Sequence, residues 1–449
     1  MTAVNTTADP LALAALDKLA ADLRYHATNN VGFPDATDLD VRPLLPLLGT
    51  LLNNVGAPFG PAGPYRGHSK RFELAVVQQT ADLFRAPWDD RWGYITSGAT
   101  EGTHCALWQA RTRFPNAVVV ASTAAHYGVA RVADMLRMPL LTVPTDDRDE
   151  IDYAALTDRV RRYRLPRRRR VPVVVVASVG TTMTEAVDDV RKIHAALDTA
   201  GVPGDARWVH ADAALAGVPL GLLDPDTRPG FDFADGATSI VVSGHKFLSV
   251  PMPCAVLVVL DSARPAGHDR LVSYTGSLDE TVTGSRSGHA PLMLWWAWQV
   301  WGLDGLRQRA TTARALAAAT TARLDAIGWP AWRHPSPSPS CWTGHPARCW
   351  TNGRSAWTAP EHTWSACPAR PRPCSTPSSP TCTTSSPAKP DPPQPMPSGC
   401  GQQFRVRTRT TSRVRRWRHT RGPSRAERCY PTRVRRSSHG AASDVTAVA

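Results

Sequence analysis

The sequence predicts an α/β domain with a mostly parallel sheet, on two observations. Short apolar runs alternate with segments of helical periodicity, and the longest apolar run is of strand length. The first element, residues 11–25, has helical spacing with charges interleaved, and it lacks the basic and apolar regions of a signal peptide. Helices are expected next at 72–84, 101–113, 126–136 and 187–200. Strands are expected at 118–121, 140–143, 171–179, 208–209, 239–242 and 255–259. The run 171–179 is far short of the ~20 residues a membrane-spanning helix needs, so it reads as a buried strand and no membrane association is expected. A tryptophan-rich helix, 294–301, reads as core packing, and a well-patterned helix at 306–327 ends the region. No internal repeat is visible.

The net charge of +14 would point to a polyanion partner if it were spread evenly. It is not: 19 of the 52 basic residues but only 4 of the 38 acidic ones lie from Arg333 onward, which leaves the first 332 residues at net −1. Cysteine divides at the same place, with Cys105 and Cys254 before it and seven more from Cys341 to Cys429. The first part therefore reads as a reduced, cytoplasmic protein.

Residues 333–449 contain no Leu, no Ile and a single Phe, Phe404, so they lack the apolar surface to offset ordering entropy and are expected to be disordered. A basic, Pro-rich tail dense in arginine over 405–436 would bind nucleic acid. Loss of the reading frame in a GC-rich gene gives the same composition. The second reading is favoured, because the change is abrupt, follows directly on a patterned helix, and scatters cysteines without metal-ligand spacing. The run RRYRLPRRRR at 161–170 reads as a solvated helix end and loop rather than a nucleic-acid patch.

Four features carry chemistry when taken together. Ser97, Gly98, Ala99 and Thr100 precede a helix, where free backbone N–H groups and the helix dipole would hold a phosphate, although ordinary capping uses the same residues. Asp212, in His210-Ala211-Asp212-Ala213-Ala214, stands at the end of a short strand; it suits a partner for a protonated pyridine nitrogen and equally a helix N-cap. Lys246, in Ser243-Gly244-His245-Lys246, lies in an apolar stretch that would make its amine a better nucleophile. His126 sits at a strand-to-helix junction, where an imidazole could stack on a flat ring or serve only a structural role.

These residues, with the strings Asn53-Asn54-Val55-Gly56, Trp92-Gly93-Tyr94-Ile95-Thr96, Gly180-Thr181-Thr182, Phe233-Ala234-Asp235-Gly236 and Gly284-Ser285-Arg286-Ser287-Gly288-His289, resemble the group II pyridoxal-phosphate-dependent decarboxylases, and most closely their bacterial histidine decarboxylases. The similarity runs over about 31–332. It implies the aspartate aminotransferase fold (fold type I) with pyridoxal 5'-phosphate as cofactor and no metal. It also implies a helical segment at 1–50, a cofactor-binding large domain at 51–285 and the start of a small domain at 286–332, which by the resemblance should continue past Trp332 and in this sequence does not. Lys246 would form the Schiff base, Asp212 would pair with the pyridine nitrogen with Ala214 beside it, and His126 would stack on the ring. Ser97, Gly98, Ala99, Thr100, Ser243 and His245 would hold the phosphate. The resemblance further implies a homodimer with a shared active site, to which Ser285 would contribute from the neighbouring subunit. Tyr274, in the segment 272–283 expected to be mobile, would donate the proton to the product carbanion. The sequence departs from the family at Ala99, where a second Gly is usual, at Thr103 for Asn, and at Ala57 for Asp.

The implied reaction is decarboxylation of an L-amino acid to its amine, histidine to histamine. Rival readings are a decarboxylase of serine, a branched-chain or an aromatic amino acid, an aminotransferase, an inactive truncated homologue, and a nucleic-acid binder acting through the basic tail. An aminotransferase would need an arginine for the α-carboxylate, and no segment identifies one.

Overall fold

The computed structural model describes residues 8–29, 38–60, 63–165, 171–265, 271–329 and 331–334. The expected disorder of 335–449 and the last five residues of the basic run 161–170 lie outside them.

Among the described residues the chain opens with α1 (Pro10–Asn29), α2 (Leu45–Leu48) and α3 (Lys70–Leu83). It then alternates through β1 (Trp92–Thr96), α4 (Ala99–Arg113), β2 (Val118–Ser122), α5 (Gly128–Met135), β3 (Leu140–Val143), α6 (Tyr153–Arg164), β4 (Val173–Ser178), α7 (Val190–Thr199), β5 (Arg207–Asp212), α8 (Gly217–Gly221), β6 (Ser239–Ser243) and β7 (Ala255–Val259). A short ribbon of β8 (Leu271–Val272) and β9 (Ser277–Leu278) precedes the long α9 (His289–Ala326).

Seven strands form one sheet in the order β1-β7-β6-β5-β4-β2-β3. Only β7 is reversed, antiparallel to both β1 and β6. Side chains alternate across the sheet and both faces are covered, which explains why the strands read as continuous apolar runs. In β4, Val173, Val175 and Ala177 enter one core while Val174 and Val176 enter the other, and all five are fully buried. Burying each such valine contributes about 1.5–3 kcal/mol, so the sheet anchors the domain.

Several boundaries differ from the periodicity. α6 forms because Asp152 caps it, accepting from Ala155 N–H at 2.9 Å, and because Leu156 and Val160 pack inward from successive turns. β5 extends to Asp212 because the fully buried His210 finds side-chain partners. The two C-terminal helical patterns join as α9, interrupted at Gly302, where φ is 57°. Trp298 is buried there, and Trp295 meets Phe72 of α3 edge-on at 5.0 Å. Residues 272–283 include β9 and the turn carrying Tyr274.

The segment before the sheet is fastened by a buried ion pair. Glu73 accepts from Arg286, from Asn54 Nδ2 at 2.8 Å and from Ile95 N–H at 2.9 Å, while Arg286 Nη2 also donates to Gly56 O at 2.6 Å. Four segments distant in sequence thus meet on one carboxylate.

Candidate active site

The carboxyl ends of β4, β5 and β6 face the N-terminus of α4 across a cavity of about 250 Å³. In a parallel sheet this is the edge where loops diverge and leave a crevice. Gly98, Ala99, Thr100 and Thr103 line one side; His126 lines another; Ser178, Gly180, Thr181, Thr182, Asp212, Ala214, Ser243, His245 and Lys246 complete it.

Lys246 reaches the cavity because the chain turns sharply after β6. Gly244 N–H donates to Cys254 O at 2.8 Å, and a Cβ on Gly244 would come within 2.6 Å of Leu294 and 2.7 Å of the Cys254 sulfur. Burial lowers the pKa of the Lys246 ammonium, with Asp212 and Glu185 opposing. The neutral amine, the nucleophilic form, is thereby favoured. Burial also lowers His245, whose Nδ1 accepts from Cys254 N–H at 3.2 Å.

Asp212 ends β5, and Ala214 N–H donates to its Oδ1 at 3.3 Å. His126 precedes α5, and its Nδ1 accepts from Gly128 N–H at 3.1 Å. Burial pushes the His126 pKa down, against the pull of Asp212 and together with Lys246 and Arg131. Its ring is thus favoured as a neutral, flat surface over the cavity.

At the start of α4 the first-turn N–H groups of Ala99 and Thr100 have no intrahelical partner and line the cavity. Ala99 is helical and is not among the described non-glycine residues with positive φ, so alanine is no obstacle there. Thr103 Oγ1 lies 3.1 Å from His210 Nε2. Ala57 is buried and donates its N–H to Leu278 O at 3.1 Å.

Three expected residues lie elsewhere. Ser97 does not line the cavity; its hydroxyl donates to Glu101 Oε2 at 2.6 Å and its N–H to the same oxygen at 2.8 Å, so it turns to the first turn of α4, whose N-cap is Gly98. Ser285 is exposed and accepts from Asn53 Nδ2 at 3.1 Å. Tyr274 is 87% exposed and lines a different cavity.

Other residues shape the site, and of these Glu185 and Asp188 carried no motif. Glu185 is buried with φ 56° and acts on Lys246 from the loop after β4. Asp188, fully buried, accepts from Ser178 N–H at 2.7 Å and Ile151 N–H at 2.8 Å, fixing the end of β4. Gly180 has φ 94°, and a Cβ there would sit 2.7 Å from Ala216 Cβ. Beneath the cavity a chain runs from Trp208 Nε1, which donates to Ser239 Oγ at 3.0 Å, through His210 Nδ1 at 2.9 Å from that hydroxyl, to Thr103. Only the string around Asp212 hinted at it. Among the described residues no cluster of three metal-ligating side chains occurs, and no helix is long and apolar enough to cross a membrane.

A buried amine, a carboxylate and a flat imidazole facing a helix N-terminus are the donor set for a phosphorylated pyridine aldehyde. The profile of the pyridoxal-dependent decarboxylase conserved domain matches residues 69–328. The chain is 42% identical over 321 residues to a histidine decarboxylase of Mesorhizobium japonicum, covering 72% of this chain and 84% of that one. It is 35% identical over 343 residues to a histidine decarboxylase of Morganella morganii, covering 73% and 88%. The L-methionine decarboxylase of Streptomyces sp. 590 superposes with a TM-score of 0.65 at 25% identity, over 74% of this chain and 84% of that one. The chain belongs to the pyridoxal-dependent decarboxylase family. It is a carboxy-lyase that uses pyridoxal 5'-phosphate to remove the carboxylate of an amino acid.

Proposed function

We propose that the protein converts L-histidine to histamine, with Lys246, Asp212 and His126 as the residues that hold and tune the cofactor. The observation carrying this reading is that the three side chains, far apart in sequence, line one cavity at the α4 N-terminus. The relatives named as histidine decarboxylases, matched over more than four-fifths of their length, support histidine as substrate.

In this reading the cofactor, when bound, supplies the electron sink for the pair left on the α-carbon as carbon dioxide departs. Lys246 Nζ would hold the aldehyde carbon, with water leaving as the bond forms, and the Asp212 carboxylate would hold a proton on the ring nitrogen. His126 would stack on the ring, with Ala214 beside Asp212. Backbone N–H groups of Gly98, Ala99 and Thr100, with Ser243 and His245, bind the phosphate. Ser97 acts one step removed, by fixing Glu101 and hence the turn. Ser285 and Tyr274 act from a second copy, Ser285 on the phosphate and Tyr274 as proton donor. Their exposure away from the cavity of their own chain supports a shared site.

A homodimer is supported further by the exposed leucines of α1. The two described cysteines, Cys105 and Cys254, are buried and free, as suits a reducing cytoplasm. Residues 1–50 serve as the helical segment, 51–285 as the cofactor-binding domain and 286–332 as the start of a small domain, with 333–449 read out of frame.

The test is to purify the protein with pyridoxal phosphate, record its visible absorbance and assay amine release from a panel of amino acids. A cofactor band lost in Lys246→Ala, with histidine turned over fastest, is expected. A band without turnover would leave an inactive homologue, and faster release from methionine would reassign the substrate.

A further inference from the structure

Glu101 is the third residue of α4, a position from which a glutamate ordinarily reaches back to the N-cap N–H. Here it reaches one residue further. Its Oε2 accepts from Ser97 N–H at 2.8 Å and from the Ser97 hydroxyl at 2.6 Å. Its Oε1 accepts from the Tyr94 hydroxyl and from Thr283 Oγ1, both at 3.3 Å. One carboxylate thus joins β1, the turn before α4 and a segment 182 residues later in the chain.

That later segment is tied down on both sides of Ser285. Val282 N–H donates to the Tyr94 phenol oxygen at 3.4 Å, and Tyr94 is fully buried. Beyond Ser285, Arg286 enters the buried pair with Glu73 and donates to Ile95 O at 3.2 Å. Ser285 itself is exposed, and Gly284 before it has no side chain to fasten. On that side the Thr283 hydroxyl is therefore the side-chain contact nearest to Ser285.

We propose that Glu101 is a positioning residue for the cofactor phosphate: through Ser97 it fixes the turn of its own chain, and through Thr283 the segment that presents Ser285. Its role rests on the reading that the phosphate lies at the start of α4 and that Ser285 reaches it from a second copy. With Ser97 turned to Glu101, the N–H groups of Ala99 and Thr100 are held at the cavity before any anion arrives, which spares the cost of ordering them. The charge of Glu101 works the other way. A carboxylate and a phosphate at one helix N-terminus repel, so the help that Glu101 gives is geometric. Glutamine keeps that geometry without the charge, because its carbonyl accepts from Ser97 and its NH2 donates to the Tyr94 and Thr283 oxygens.

The test titrates the full-length protein with pyridoxal phosphate and with pyridoxal, which lacks the phosphate, and follows absorbance. Wild type is expected to prefer the phosphorylated form. Glu101→Ala should cut that preference about tenfold or more, with pyridoxal bound within about twofold of wild type. Glu101→Gln should keep the preference or raise it. Thr283→Val should cut it about threefold and add nothing in a Glu101→Ala background, where the link is already gone. Equal losses of both ligands in Glu101→Ala, or a glutamine variant as weak as alanine, would overturn the proposal. So would additive effects of the two substitutions, or a silent Thr283→Val. Ser285→Ala says which part has then failed: if it cuts the preference, the Thr283 link is absent, and if it too is silent, Ser285 does not reach the phosphate. A wild type that binds pyridoxal as tightly as pyridoxal phosphate would remove the phosphate from the turn and take the underlying reading with it. Should Glu101→Ala not fold, Thr283→Val at its exposed position still decides, since a phosphate-selective loss supports the link and no loss rejects it.

Discussion

Arg309 Nη2 of α9 donates to Ser249 Oγ at 2.8 Å, so the last helix holds the loop that carries Lys246. The Ser249 hydroxyl donates in turn to Asp38 at 2.7 Å, Asp38 pairs with Arg309, and the guanidinium lies over the Phe247 ring at 5.5 Å. Ser249 N–H donates to Lys246 O at 3.0 Å, with Ser249 at φ 60°. That backbone costs about 1–3 kcal/mol for a non-glycine residue and persists only when its surroundings fix it.

Removing the clamp should therefore loosen Lys246. For Arg309→Met the dissociation constant of pyridoxal phosphate is expected to rise about tenfold, the equivalent of ~1.4 kcal/mol. Absorbance titration of the cofactor measures it. A lowered melting temperature with unchanged cofactor affinity would show that the clamp serves stability alone.

His210 should give an acid-side signature. Burial pushes its pKa down to about 4, against the pull of Asp212, whereas the unfolded chain titrates near 6.5. Between these values the unfolded state binds more protons, so the contribution is complete above about 6.5 and is lost as pH falls toward 4. In wild type the His210 ring resonances should stay those of a neutral imidazole down to about pH 5. His210→Gln should lose about 1–3 kcal/mol at pH 7.5 from broken hydrogen bonds, and a smaller share at pH 5. Chemical denaturation at the two pH values checks the trend, which an equal loss at both would contradict.

The sheet and the lysine of the cavity were legible because their signals are local. Strand runs record burial on both faces, and Lys246 and Asp212 sit in compact strings at strand ends. Glu185 carried no comparable signal, since its influence depends on a loop folding back with φ 56°. Arg309 reaches the Lys246 loop from 60 residues away, and no period or motif marks such a contact. Ser97 shows the converse difficulty. A serine ahead of a helix can turn to the helix or to a bound anion, and only the 2.6 Å bond to Glu101 separates the two.

Asp188 should give the opposite slope to His210. Burial raises its pKa to about 7, with the Ser178 and Ile151 N–H groups opposing. The folded state therefore binds more protons than the unfolded one between about 4 and 7, so its contribution is present below that window and is lost as pH rises through 7. Asp188→Asn sets an amide NH2 against one of the two backbone donors and should cost about 1–3 kcal/mol at pH 6. By pH 8.5 wild type must keep a buried charge, and the gap should narrow. Urea unfolding at both values tests this, and a gap that widens with pH would reject it.

The exposed face of α1 bears on the proposed dimer. Leu16, Leu19 and Leu23 recur at helical spacing and are 62%, 53% and 59% exposed, and Leu11 is 78% exposed. Burying one leucine contributes about 1.5–3 kcal/mol, and a symmetric dimer buries each position twice. Leu16→Glu with Leu23→Glu would thus remove four leucines from an interface formed by this face, roughly 6 kcal/mol or more, enough to raise the dimer dissociation constant by about four powers of ten. Sedimentation should show wild type as a dimer and the double variant as a monomer at the same micromolar concentration. The monomer should keep cofactor absorbance, because Lys246, Asp212 and His126 belong to one chain, and it should lose turnover, because Ser285 and Tyr274 would no longer reach the cavity. A double variant that still sediments as a dimer would place the interface elsewhere, and a fully active monomer would remove the second subunit from the site.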